Sequence, residues 1–225
     1  MAHRTERETR FFNSFELRAL EENAPEQGGG IVEGYASTFD EYDLMTIDLG
    51  DGKREIWRES IARDAYNETD MSDVVFLRDH QGQVYARTKN NLIALMADET
   101  GLYTRTDLTK TTAAREMYED IKVGNYSQMS FAFTVARDTW EMITEGADTI
   151  YKRTINAIGK IYDVSAVAFP ANPYTDIAPA TRAAFDGEIE RLKAERLEAE
   201  RRAREDARRR AEIKLKIMEA QTHEH

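Results

Sequence analysis

From Met129 to Val135 the chain alternates without a break: Met129, Phe131, Phe133 and Val135 fall on one side, Ser130, Ala132 and Thr134 on the other. A period of two belongs to an extended strand, because successive Cβ atoms point to opposite faces of a sheet. The large side reads as a core face. The small side carries one hydroxyl and predicts a second face bare enough for a substrate to lie close to Ser130. A strand with one apolar face must be covered and paired, so the remaining segments have to supply its neighbours.

They do so in short pieces. Phe11 to Ala19 alternates as a first strand, Pro25 and Gly28-Gly29-Gly30 break it, and Ile31 to Phe39 reads as a second, giving a long hairpin. Asp40 to Lys53, with the turn pair Asp51-Gly52, reads as loop or hairpin, and Glu55-Ile-Trp57 as a short extended piece. Ser60 is placed to cap a helix through Asn67, its hydroxyl accepting from an orphaned N–H. Val74 to Leu77 is an unbroken apolar run, predicting a strand buried on both faces. Val84–Thr88, Leu92–Ala97 and Leu102–Leu108 follow, with tight turns at Asn90-Asn91 and Glu99-Thr100-Gly101. Thr111 or Thr112 to Val123 is helical, with Ala113, Met117 and Ile121 in register and Gly124 as C-terminal cap. A further hairpin turns near Gly146, and Lys160 to Phe169 is the last strand before Pro170-Ala171-Asn172-Pro173. Many short strands and few helices predict a mainly β (α+β) fold: a closed antiparallel barrel-like core with peripheral helices.

After Pro179 the pattern changes. Glu188 to Ala220 has no glycine or proline and is dominated by Ala, Glu, Arg, Lys and Leu. Glu198–Arg202, Glu200–Arg204, Glu205–Arg209, Asp206–Arg210 and Glu212–Lys216 are acid-before-base pairs four apart, a spacing that supports a helix. Ile189, Leu192 and Leu197 hold no heptad, so this is a solvated charged helix rather than a coiled coil. The division expected is a domain over residues 1–180 and a charged helical extension over 181–225. Charge follows the same line. The net charge is −11, yet from Arg182 onward Lys and Arg number 12 against 11 Asp and Glu, so the acidity lies before the extension. An acidic globular part argues against direct nucleic-acid binding. There is no cysteine, which excludes disulfide scaffolds, thiolate metal sites and cysteine nucleophiles. No apolar run approaches the ~20 residues of a membrane span. Met1 to Glu8 lacks the apolar stretch of a signal peptide, so a cytosolic product is expected.

Of the four histidines, only His80 lies away from the ends of the chain. It follows the apolar run Val74–Leu77 and precedes Gln81-Gly82, a place at the end of a buried strand. Ser130 with His80 meets the chemical minimum for acyl transfer: imidazole within hydrogen-bond reach removes the serine proton during attack. The base works better if its other nitrogen is held by an acid. Asp163 is the leading candidate, in Ile161-Tyr162-Asp163-Val164-Ser165-Ala166-Val167, because an acid on an otherwise apolar strand face needs a partner. Pairing with an arginine or exposure at a sheet edge is the competing reading of Asp163. Asp79 adjoins His80 but would point to the opposite face of an extended segment. Ser127 would share the core face with Met129 and Phe131, so Ser130 is preferred. No ligand spacing for a metal appears, and no cofactor is expected.

Four segments in order, Gly34-Tyr35-Ala36-Ser37-Thr38-Phe39, Phe76-Leu77-Arg78-Asp79-His80, Gly124 to Phe133, and Tyr162 to Pro173, resemble the prohead maturation serine proteases of tailed phages, distant relatives of the herpesvirus assemblins. The resemblance spans roughly residues 10–175. It implies His80 as base, Ser130 as nucleophile and Asp163, the acid before Val-Ser, as third member. Two departures stand out: Arg78-Asp79-His80 where the family often has Asn-His-Asp, and Ala132 in place of a usual glycine. The function implied is a serine endopeptidase, without cofactor, that cleaves the scaffold segment of the major capsid protein and itself. It would act in the host cytoplasm inside the assembling prohead, and a homo-oligomer is compatible with it. The extension would then be a packaging or scaffold-contact segment. The alternative is a non-catalytic scaffold or assembly protein of the same fold. A generic hydrolase is disfavoured by the absence of Gly-x-Ser-x-Gly around Ser130.

Overall fold

The computed structural model describes residues 6–12, 17–20, 28–168 and 179–222. Strands β1 (Glu8–Phe12) and β2 (Arg18–Leu20) precede β3 (Ile31–Thr38), β4 (Tyr42–Gly50) and β5 (Lys53–Ile61). Then come β6 (Val75–Arg78), β7 (Gln81–Arg87), β8 (Ile93–Ala97) and β9 (Gly101–Asp107). Helix α1 (Thr112–Lys122) leads to β10 (Gln128–Glu145) and β11 (Asp148–Val167), and α2 (Pro179–Thr222) is the last element. The fold is mainly β, as the alternation predicts.

The barrel is not what the strands build. Among the described residues they form two open sheets over one core. One is ordered β1-β10-β11-β5-β4, with β6 also on β11 and β7 on β6; the other is ordered β2-β3-β9-β8. Nor is all pairing antiparallel. Strand β11 runs parallel to β5 over Thr149–Ile155 and then parallel to β6 over Asp163–Ala166. At 20 residues β11 is long enough to take two neighbours in succession along one edge. The short segments read from sequence hid this length. The β10–β11 ladder shifts register between Ala132 and Phe133 and again near Arg137, the kind of bulge that lets a long ribbon bend.

Three other expectations are corrected. Phe11 to Ala19 is not one strand: β1 pairs with β10 and β2 with β3, in different sheets. Ser60 caps no helix. It lies in β5 opposite Thr154, and the N–H groups of Ala65 and Asn67 bond to carbonyls three residues back, as in turns. Around Val74 the strand is not buried on both faces, since Val74 and Phe76 are buried while Val75 and Leu77 are half-covered. The segment 40–53 resolves as the β4–β5 hairpin, turning at Asp51 and Gly52 with φ of 54° and 70°. Phe169 and Pro170-Ala171-Asn172-Pro173 lie outside the described residues.

Helix α1 forms as its capping residues dictate. Thr111 Oγ1 accepts from the Ala114 N–H at 3.1 Å, and Gly124 follows the last turn at φ 84°. Its buried stripe is Ala114, Met117, Tyr118 and Ile121. The core beneath the sheets includes Phe76, Leu102, Ile155, Ile161, Val164 and the stacked rings of Phe131 and Phe133, with centroids 4.3 Å apart. Strands β3 and β9 close tightly at Gly101, where a Cβ would fall 1.9 Å from the Ser37 carbonyl oxygen. Only glycine fits there.

The chain divides into two compact units, Met1–Arg182 and Ala183–His225. In the second, helical ion pairs link Arg191 to Glu188 and Glu195, and Glu198 to Arg201 and Arg202. Arg196–Glu200, Arg201–Glu205 and Arg208–Glu212 place the base before the acid, the reverse of the order expected from sequence. Leu197 is exposed, in keeping with a solvated helix.

Candidate active site

Strands β6 and β7 are joined by a two-residue turn made of Asp79 and His80, with Arg78 paired to Gln81. Both turn residues have positive φ, 51° and 59°. A tight hairpin of right-handed twist requires this, and Asp and His tolerate it better than most side chains. The turn is clipped to β11 by two bonds: the Asp79 N–H donates to Ala166 O at 3.1 Å, and the His80 N–H donates to Ser165 Oγ at 3.3 Å. The extended segment expected at Asp79 is therefore a turn, and His80 projects from it.

The β10–β11 ladder brings the other groups to one place. Ser130 stands opposite Ser165, and Ala132 opposite Asp163, so these four side chains share one face of adjacent strands. His80 spans them. Its Nδ1 lies 2.6 Å from Asp163 Oδ1, and its Nε2 lies 2.5 Å from Ser130 Oγ. An ionised carboxylate only accepts, so the ring hydrogen sits on Nδ1 and the Nε2 lone pair faces the serine. Ser165 donates its hydroxyl to the same Asp163 Oδ1 at 2.8 Å. Ser130 Oγ also lies 2.8 Å from the main-chain oxygen of Arg10 on β1, to which it can donate. One hydroxyl hydrogen thus has two acceptors, His80 Nε2 and Arg10 O.

The face expected to be bare is covered: Ser130, Ala132 and Thr134 are all buried. Their small size makes room for the imidazole and the carboxylate rather than for an open floor. Asp163 is buried as well, while the His80 side chain keeps 16% exposure. Ser127 precedes β10, and its carbonyl accepts from the Leu17 N–H at 2.8 Å.

Beside this array, β1 carries Glu8 and Arg10 into a buried charge cluster. The Arg10 guanidinium holds Glu59 at 2.5 and 2.8 Å and Glu8 at 2.6 Å. Arg153 holds Glu8 at 2.7 and 2.9 Å, Glu59 at 3.0 Å and Asp138 at 2.9 Å. Thr181 and Tyr42 hydroxyls donate to the same carboxylates. Burial alone would push the Glu8 carboxyl up, but Arg10 and Arg153 outweigh it and hold it well below the usual carboxylate range. Burial likewise opposes the charge on Arg153, and Glu8 and Glu59 reverse this and raise its pKa. None of this cluster was legible beforehand, because nothing in a row of acids and bases says which of them will be taken out of water. Ser165 was missed as well. The Asp-x-Ser spacing, which places a hydroxyl beside the carboxylate on one strand face, is the sequence signal that points to it.

A model of the caudovirus prohead serine proteases matches residues 14–188. The chain belongs to that family. The matched stretch contains His80, Ser130, Ser165 and Asp163, and leaves out β1 and most of α2. No curated protein and no solved structure matches. Among the described residues no helix is long and apolar enough to cross a membrane.

Proposed function

We propose that this prohead protease family member is a serine endopeptidase in which Ser130 is the nucleophile, His80 the general base and Asp163 the group that holds the imidazole. The observation that carries the reading is one imidazole joining a buried carboxylate to a serine hydroxyl through its two nitrogens, at 2.6 and 2.5 Å. In acylation Ser130 Oγ bonds to the scissile carbonyl carbon as its proton passes to His80 Nε2. Asp163 stabilises the imidazolium that results. That proton then goes to the leaving amine as the peptide bond breaks, and water, deprotonated by the same nitrogen, hydrolyses the ester. The oxygen of Arg10 competes for the Ser130 proton, so the reactive form is the one in which Nε2 receives it.

The substrate we assign from the family is the scaffold segment of the major capsid protein, together with the chain itself. Residues 1–180 form the protease domain, and the extension over 181–225 serves in packaging or scaffold contact. The test is a co-expression of the chain with its capsid protein, read as product size on a gel. Wild type yields shortened products and Ser130→Ala leaves full-length protein. The rival reading, a non-catalytic assembly protein of the same fold, draws on the complete burial of Ser130. It wins if wild type leaves the capsid protein intact, and equal cleavage by Ser130→Ala removes this serine from the chemistry. Incorporation of a chain truncated at residue 180 into proheads at wild-type level would end the role given to the extension.

A further inference from the structure

Ser165 is fully buried and its hydroxyl has no contact with solvent, yet it sits among three groups of the array at once. It donates to Asp163 Oδ1 at 2.8 Å, accepts from the His80 main-chain N–H at 3.3 Å, and lies 3.3 Å from His80 Nδ1. A hydroxyl has one hydrogen and two lone pairs. Its hydrogen goes to the carboxylate, which cannot donate, so toward the backbone N–H and toward Nδ1 the same oxygen is an acceptor. Nδ1 therefore has two acceptors within reach of its hydrogen, Asp163 Oδ1 at 2.6 Å and Ser165 Oγ at 3.3 Å. The nitrogen whose lone pair then faces Ser130 is Nε2, 2.5 Å from its hydroxyl oxygen.

The backbone gives a second, independent reason. His80 sits at φ 59° in a two-residue turn, a conformation that a non-glycine residue holds only when its surroundings fix it. Of the two clips that dock this turn on β11, one is the main-chain bond from Asp79 to Ala166 and the other is the bond from the His80 N–H to Ser165 Oγ. Ser165 is also the cross-strand partner of Ser130. One side chain thereby registers the base against both the acid and the nucleophile.

We infer that Ser165 is a positioning residue for the acyl-transfer array, fixing the tautomer and the placement of His80 through Asp163 Oδ1 and through the His80 backbone N–H. The inference rests on the reading of Ser130, His80 and Asp163 given above. Ser165 itself touches no reacting atom: its place is on the Nδ1 side of the ring, away from Nε2. What it supplies is alignment, of the kind that outer partners of histidine ligands supply, where loss costs about ten- to hundredfold in activity.

The experiment is a time course of capsid-protein cleavage by the purified full-length chain at a series of pH values, for wild type, Ser130→Ala, Ser165→Ala and Ser165→Thr, with each variant's thermal unfolding recorded. A gap between wild type and Ser130→Ala establishes the nucleophile, and its absence overturns that reading and this inference together. With the gap in place, Ser165→Ala is expected to lose about tenfold or more in rate while still folded. The pH at which its cleavage falls off on the acid side should also move upward, because a carboxylate without the Ser165 bond carries more unshared charge toward the imidazolium. Asp79, adjacent in the turn, is the same in wild type and variant, so the difference between their profiles reads the change at Asp163. Ser165→Thr, which keeps the hydroxyl, should recover most of the rate. A Ser165→Ala rate within twofold of wild type, or a loss with the acid limb unmoved and no recovery by threonine, overturns the inference. If Ser165→Ala does not fold, Ser165→Cys, of similar volume and weaker as a donor, is read by the same two criteria.

Discussion

The Glu8–Arg10–Glu59–Arg153 cluster and the Ser130–His80–Asp163 array share the strands β10 and β11 or border them, but they treat their hydrogens differently. In the cluster the guanidinium groups of Arg10 and Arg153 donate to carboxylate, hydroxyl and carbonyl oxygens, and Glu8 and Glu59 each meet two arginines. Charge is matched and no proton has a second place to go. In the array a single serine hydrogen is offered two acceptors, and an imidazole stands ready to take it. The first arrangement fixes β1 against the sheet. The second leaves a proton transfer open. What separates the two polar assemblies is whether donors and acceptors balance: they do in the cluster, and in the array one hydroxyl hydrogen has two acceptors.

The comparison can be broken most severely at Asp163. Asp163→Asn keeps the shape but removes the charge and lets the amide donate where only acceptance is wanted, so cleavage of the capsid protein should fall by about 10⁴-fold with little loss of stability. A rate within tenfold of wild type would mean that His80 does not depend on Asp163. Next in size is Arg153→Met, which leaves Glu8 and Glu59 buried with one arginine between them. Denaturant titration should show about 3–5 kcal/mol lost. A loss under about 1 kcal/mol would show that water enters the cluster and screens it.

The cluster also predicts the acid side of the stability curve. The folded-state pKa of Glu8 is depressed below its unfolded value. Its contribution is therefore present in full above the ordinary glutamate range, near pH 4.3, and is lost as pH falls through that range toward the folded value. Unfolding midpoints measured from pH 6 down to pH 3 should drop for wild type and drop less for Glu8→Gln, which has no proton to take up. Equal slopes would remove Glu8 from the account. The smallest effect belongs to the turn. Asp79→Gly relieves one residue at positive φ and should raise stability by about 1 kcal/mol, with cleavage unchanged. Slower cleavage by this variant would show that the stiffness of the turn, and not only its docking on β11, holds His80 in place.

Much of the array was legible because its chemistry is scarce in this chain. One histidine lies away from the ends, one strand has a hydroxyl on a face of small residues, and one acid interrupts an apolar strand. Scarcity picks out His80, alternation only nominates Ser130 and Asp163, and it is the ordered segments resembling prohead proteases that tie the three together. Helix α1 was legible for a local reason, since Thr111 and Gly124 mark its ends through bonds made within a few residues. The hairpin at Asp51-Gly52 was written in the same short-range code.

What the sequence by itself determined, then, was the alternating strand around Ser130, the boundaries of α1, the charged helical extension and the short list of candidate groups for acyl transfer. These depend on side-chain period, on turn residues and on which functional groups exist at all. The tertiary structure decided the rest. It set two open sheets in place of a closed barrel, and it gave β11 two parallel partners. It turned Asp79 and His80 into a strained hairpin turn, covered the face of Ser130, and put Arg10 O within reach of its hydroxyl. It also drew Glu8, Arg10, Glu59 and Arg153 out of water into one cluster. Each of these rests on contacts between residues far apart in the chain, where register, burial and the pairing of charges are fixed only once the strands have met.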